Sequence, residues 1–375
     1  MMRPVCLFLL CLVLAACGGS GTPEPQFHSG ENPLVLSEWG MVTVRDGALA
    51  PGEGVEPYDL NTPLFSDHAG KFRTIWMPEG ASAAYSADSV FDFPVGTVIT
   101  KTFYYAVSDD GTLLRGDENV DVWARPEHLD LSRVHLIETR ILTRRETGWA
   151  ALPYVWNADQ TEARLMRTGD SQGFTVESAD GEQEAVNYLV PNVNQCAGCH
   201  AVNNTTRELQ PIGPAARHLN RDFDYAEGPE NQLDHLIAAG YLTGAPQSDL
   251  APRAAVWTDL NIPVDERARA WLDINCAHCH NPVGPADTSG LHLDPGTPMG
   301  PNLGLCKTPI AAGPGSGGRR YDIVPGAPDE SILIYRLESL RPDVMMPELG
   351  RSIVHDESVA LIRDWIETLE GDCDA

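Results

Sequence analysis

Two short segments hold residues whose types and spacing can do chemistry together: Cys196-Ala197-Gly198-Cys199-His200 and Cys276-Ala277-His278-Cys279-His280. Both read C-x-x-C-H. At this spacing two thiols can add to the two vinyl groups of one porphyrin, and the next histidine lies beneath the iron as its proximal ligand. Cys196, Cys199, Cys276 and Cys279 are therefore candidate attachment points for two covalent haems c, with His200 and His280 as candidate axial ligands. Paired cysteines also bind zinc, act as redox dithiols or form structural disulfides. None of those uses requires a histidine directly after the second cysteine, and here both motifs have one.

The second motif needs elements to hold it. A helical stretch, 265–275, leads into it with Ala268, Trp271 and Leu272 on one face. A Gly/Pro-rich loop, 296–318, follows. Asp329 is placed to cap a helix with Leu333, Leu337 and Leu340 in one stripe. Asp356 is placed to cap a last helix with Val359, Ile362, Ile366 and Leu369 inward. Between the two, Met346-Pro347-Glu348-Leu349-Gly350-Arg351 resembles the M-P-x-L-G segment of bacterial cytochrome c domains, and the region as a whole resembles a small class I cytochrome c. The resemblance implies Met346 as distal ligand of the second haem, with Met345 as the alternative. Core filling is the commoner role of methionine, but a thioether ligand raises haem potential and suits electron transfer. Cys306 and Cys373 fall in this module, and pairing is favoured over two free thiols in an exported chain.

The first haem has no such methionine between His200 and the second motif. His218 and His235 are the histidines available there, and an open iron position is the other reading. Upstream, residues 30–190 read as β-structure. Candidate strands are 71–77, 97–105, 134–143, 149–156, 162–167, 173–177 and 184–190, with Asp180-Gly181 and Glu146-Thr147-Gly148 as hairpin turns. The fold class expected is α+β and multidomain: an antiparallel, sandwich-like β-rich domain followed by an α-helical cytochrome c-like module.

A β-domain closed by C-x-x-C-H is similar to the β-sheet cytochromes, in which one haem is five-coordinate. In one type a lysine is cross-linked to the porphyrin, and Lys101 is the residue nominated here. Three further stretches, 61–67 (N-T-P-L-F-S-D), 91–97 (F-D-F-P-V-G-T) and 154–163 (Y-V-W-N-A-D-Q-T-E-A), together with both motifs, resemble a family of bacterial di-haem c-type lipoproteins. That resemblance implies a di-haem redox protein and no particular reaction. Pro211-Ile212-Gly213-Pro214 and Pro282-Val283-Gly284-Pro285 each follow a motif, which hints at an internal duplication and at carbonyl support for the proximal histidines.

The N-terminus supplies an address. A basic head and an apolar run end in Leu14-Ala15-Ala16-Cys17, which resembles the bacterial lipobox. Cys17 would then carry the lipid anchor, and the protein would sit in the periplasm or on the cell surface. The expected organisation is signal peptide 1–16, tether 17–30, β-rich domain 31–200, helical linker 201–260 and cytochrome c-like domain 261–375. The chain has 375 residues with a formal charge of −27, so nucleic acid is excluded as a partner and a redox protein with a basic patch is favoured. The function expected is electron transfer between periplasmic or membrane partners. The alternative is a haem enzyme acting on a small oxidant or nitrogen oxide at an open first haem.

Overall fold

The computed structural model describes residues 22–117, 123–125, 128–310 and 312–374. Cys17 and the expected signal peptide lie outside the described residues. The fold is mixed, with β-rich sheets and six α-helices among the described residues.

Each of the seven expected segments forms a strand: Gly70–Trp76, Val98–Val107, Val134–Arg145, Gly148–Trp156, Ala163–Leu165, Asp170–Glu177 and Gln183–Val190. With Glu56–Tyr58 and Leu113–Leu114 they make one nine-stranded sheet. Its pairings are antiparallel except for the contact of Leu114 with Glu177. Val98–Val107 is the hub. It pairs along one edge with Val134–Arg145, and gives the other edge to Gly70–Trp76 and Leu113–Leu114.

Alternation along the hub separates two faces. Val98, Tyr104 and Ala106 pack with Trp39, Leu49 and Leu129 of the layer built on a four-stranded sheet. Ile99, Phe103 and Tyr105 join the clusters on the other face. Lys101 shares their parity. On the neighbouring strand the register shifts between Leu136 and Glu138. This bulge at Ile137 changes the parity, so Glu138 and Arg140 come to the same face as Lys101. There the Arg140 guanidinium stands 4.3 Å from the centre of the Phe103 ring and the Lys101 ammonium 5.7 Å from it.

The helices lie downstream. They are α1 (Val193–His200), α2 (Ala216–Leu219), α3 (Gln232–Ala238), α4 (Val264–Leu272), α5 (Ile332–Glu338) and α6 (Asp356–Thr368). Residues 201–260, expected as a helical linker, hold α2, α3 and the hairpin Asp222–Tyr225/Gly228–Asn231. Ala216, Leu219, Leu233 and Leu236 share one core with Tyr58, Ile75 and Ile99 of the large sheet. Burial of each large side chain contributes about 1.5–3 kcal/mol, so this segment is bound into the β-structure.

The last helices α4, α5 and α6 close around Trp271, Ile334, Ile362 and Trp365. The Trp365 indole donates to Asp265 Oδ1 at 2.8 Å. Both expected caps are corrected. Asp329 sits in a 3-10 turn, Pro328–Glu330, and pairs with Arg363 at 2.8 Å, leaving Ser331 at the N-cap of α5. Leu340 lies past the end of α5 and is exposed. Asp356 is the first residue inside α6, where a carboxylate meets the positive end of the helix dipole, and His355 is the N-cap.

Cys306 and Cys373 are joined by a disulfide across 67 residues. Cross-links of this span restrict the unfolded chain, so Cys373→Ala is expected to cost about 2–4 kcal/mol. Urea denaturation of the oxidised protein and the variant measures it. Equal midpoints would show that the tail adds nothing to stability.

Candidate functional site

The first motif is itself a helix. Asn192 accepts from Asn194 N at 3.0 Å and Gln195 N at 2.9 Å, and Gln195 Oε1 accepts from Asn192 N at 2.9 Å. This capping box starts α1 one turn before Cys196 and sets both cysteines and His200 on it. His200 Nδ1 stands 2.7 Å from Gln210 O, the carbonyl just before Pro211. That bond leaves Nε2 as the nitrogen free to bind a metal. Burial pushes the imidazole down to about 3, so it is neutral at working pH, as a ligand must be.

The second motif is reached differently. α4 passes into one turn of π-helix, Asp273–Ala277, which carries Cys276. Asp273 anchors the turn, accepting from Arg217 Nε at 2.6 Å, Arg217 Nη2 at 3.0 Å and His218 Nε2 at 3.2 Å. Asn275 ties it to the β-rich part, its Oδ1 accepting from Phe65 N at 2.9 Å. Burial pushes His280 down to about 4, and Ser289 Oγ stands 3.4 Å from its Nδ1. Gly284 has no room for a side chain, since a Cβ there would meet Cys279 O at 2.3 Å. The two motifs are therefore held by unlike local structures: His200 leans on Gln210 O, beside Pro211, whereas His280 leans on the backbone of Leu291, beyond the P-V-G-P stretch.

Each motif faces its own cavity of about 1500 Å³, measured out to solvent. Cys196, Cys199, His200 and Lys101 line the first, and Cys276, Cys279 and His280 line the second. The cavities share a wall made of Cys199, Asn275, His278, Met346 and Leu349. The motifs touch through it, Cys279 Sγ lying 3.6 Å from Gly198 O, and the segments that follow them are joined where Asn204 N donates to Val283 O at 2.6 Å. The four motif cysteines are free thiols. Comparison with family models, curated proteins and solved structures finds no match for this chain.

Cations distinguish the first cavity. Arg73, Lys101, Arg140 and Arg351 line it, whereas only Lys307 and Arg336 line the second. Burial first, then the neighbouring Arg73 and Arg140 guanidiniums, push the Lys101 ammonium well below its usual range. Arg140 Nη2 pairs with Glu138 Oε1 at 2.5 Å, and Tyr188 OH donates to the same oxygen at 2.8 Å.

Met346 lines both cavities, while Met345 is buried and lines neither. His218 and His235 reach neither cavity. His218 is committed to Asp273, and His235 stacks on Tyr225 with its ring nitrogens 2.9 Å from Glu56 and 3.0 Å from Glu230. Sequence reasoning missed His278, Arg140 and Asp273. The extra histidine inside C-A-H-C-H was a visible signal. Arg140 and Asp273 had none, because a bulge and a distant arginine place them.

Proposed function

We propose that this chain is an exported di-haem c-type cytochrome whose two centres pass electrons across the shared wall to a redox partner. The observation that supports it is the placing of two C-x-x-C-H motifs in contact, each opening into a separate cavity. The residues suit the group: two thiols, one neutral imidazole backed by an acceptor, a thioether in reach, and cations to offset propionate charge. Cys196, Cys199 and His200 would hold the first haem, and Cys276, Cys279 and His280 the second, with Met346 as distal ligand there. Bound haem supplies reversible one-electron chemistry. The chain's own part would be to present the two motifs across one shared wall, keep both imidazoles neutral and surround the bound groups with apolar walls. Cys17 would supply the membrane anchor, and the acidic surface would favour a partner with a basic patch.

The cationic first cavity favours a second reading, a haem enzyme for a small oxidant or nitrogen oxide. Lys101, its pKa lowered by burial and by Arg73 and Arg140, lines the same cavity as His200. Carbon monoxide binding by the untreated reduced protein separates the two, since a carrier with both irons fully ligated does not bind it.

The pyridine haemochrome assay on protein expressed with haem-maturation machinery tests both. Two haems per chain are expected, and one in each of Cys196→Ala/Cys199→Ala and Cys276→Ala/Cys279→Ala. Fewer than two in the wild-type chain rejects the proposal.

A further inference from the structure

The stretch N-T-P-L-F-S-D, continued by His68, is not absorbed by the motifs, yet it is built with care. Asp67 and His68 are consecutive non-glycine residues with φ of 50° and 58°. Left-handed backbone costs on the order of 1 kcal/mol or more for each such residue, and persists where surrounding contacts hold it. Asp67 supplies those contacts. Its Oδ1 accepts from Ser352 N at 2.6 Å and Ile353 N at 3.3 Å, and Oδ2 from Ser352 Oγ at 3.1 Å. One carboxylate thus docks the segment just before His355 onto the loop that carries His68.

The docking brings His68, His355 and Glu357 together. One donor atom from each lies within 4.8 Å of the others. His68 is 2 % exposed and its Nδ1 is held by Asp117 Oδ2 at 3.2 Å, while its buried Nε2 has no hydrogen-bond partner among the described residues. His355 is 9 % exposed, with an unpartnered buried Nδ1 and with Nε2 standing 3.7 Å from Glu357 Oε2. The Phe65 ring, stacked at 4.1 Å on His355 and edge-on to His68 at 5.0 Å, fixes both imidazoles. Glu357 Oε1 is taken by Arg115 Nη1 at 2.7 Å, which leaves Oε2 for a second partner.

Two buried imidazoles, each with one nitrogen that has no partner among the described residues, beside a carboxylate oxygen would be a costly arrangement without a ligand, since each unpaired buried polar atom costs about 1–3 kcal/mol. We propose that His68, His355 and Glu357 form a binding site for one divalent first-row transition ion, with Asp117 as the carboxylate that orients His68. Two imidazoles and a carboxylate suit zinc and ferrous iron, and the Asp117–His68 pair is the usual support for a ligating ring. None of the three is a motif residue, although His355 also lines the first cavity, so zinc and haem are counted separately.

The test is zinc binding by the untagged full chain. Protein dialysed against chelator is titrated with Zn²⁺ calorimetrically, and bound zinc is counted by mass spectrometry. One tightly held ion per chain is expected. Glu357→Gln, at a half-exposed position that leaves the fold intact, is expected to weaken binding clearly, Asp117→Asn by ~10–100-fold, and His68→Ala to abolish it. Should wild type hold no stoichiometric zinc, or Glu357→Gln and His68→Ala hold as much as wild type, the site does not exist. A change of haem spin state in His355→Ala with zinc binding intact would make His355 a haem ligand and likewise overturn the proposal. If the chain carried no haem, zinc on the motif cysteines would survive all three substitutions and be told apart.

Discussion

Replacing Met346 by alanine is expected to turn one low-spin haem high-spin and open it to carbon monoxide. Its midpoint potential should fall by a sizeable part of the ~0.8 V that axial ligands span. Met346 is the methionine that lines the cavity of His280, and its backbone is pinned at both ends. Its N–H donates to Arg336 O at 3.1 Å, and its carbonyl accepts from Arg351 Nη2 at 3.0 Å. Arg351, buried, also donates to Ser339 O at 2.8 Å and Ile353 O at 3.0 Å. The loop is therefore fixed by contacts that do not involve the sulfur, and removal of the thioether should leave it in place. Met346→His should restore a six-coordinate, low-spin iron at lower potential. Met345→Ala is the contrast. That side chain is buried away from both cavities, so its loss should leave the spectrum unchanged and destabilise the fold by about 2–5 kcal/mol. Optical and EPR spectra with a redox titration read all three. An unaltered Met346→Ala spectrum would remove this residue from the iron.

What the sequence shows about this protein is what repeats at short range. Short runs rich in Val, Ile, Thr and aromatics, bounded by turn residues, mark the longer strands of the large sheet. The cysteine and histidine spacing of the motifs is equally local. The capping box before the first motif is also legible as N-x-x-Q. Asp329 falls three residues before α5 and Asp356 just inside α6, and a serine and a histidine take the cap positions. A cap depends on backbone angles that composition does not encode. Other features depend on contacts across the chain. Glu138 and Arg140 face Lys101 only because one extra residue at Ile137 changes parity. The meeting of His68 with His355 depends on Asp67 bonding 285 residues away. Residues 201–260 look like a linker because their helices are short, and their apolar side chains find partners far away in the chain, among them Tyr58, Ile75, Phe91 and Ile99.

The most damaging loss of stability is expected at Asp273. This carboxylate is buried and holds Arg217 through two bonds and His218 through a third, at the turn that delivers the second motif. Asp273→Ala strands a half-buried guanidinium and an imidazole that is 1 % exposed. Breaking one side of such a buried pair costs about 3–5 kcal/mol. The π turn carrying Cys276 should loosen with it. The same group sets a pH dependence. Burial works to raise its pKa, but the bonds from His218 and Arg217 outweigh that and hold it below the ordinary carboxylate range. A depressed folded pKa means stability that is fully present above about pH 4, the unfolded value, and is lost as pH falls toward the folded one. Urea midpoints measured from pH 7 down to about pH 3 should therefore drop for wild type. In Asp273→Asn the midpoint should start lower and fall less, because the group that gains a proton is gone. A double-mutant cycle with Arg217→Gln isolates the pair. A coupling below ~1 kcal/mol, the value of an exposed pair, would mean that Asp273 does not anchor the turn and that the π-helical geometry is held by Asn275 and Trp271.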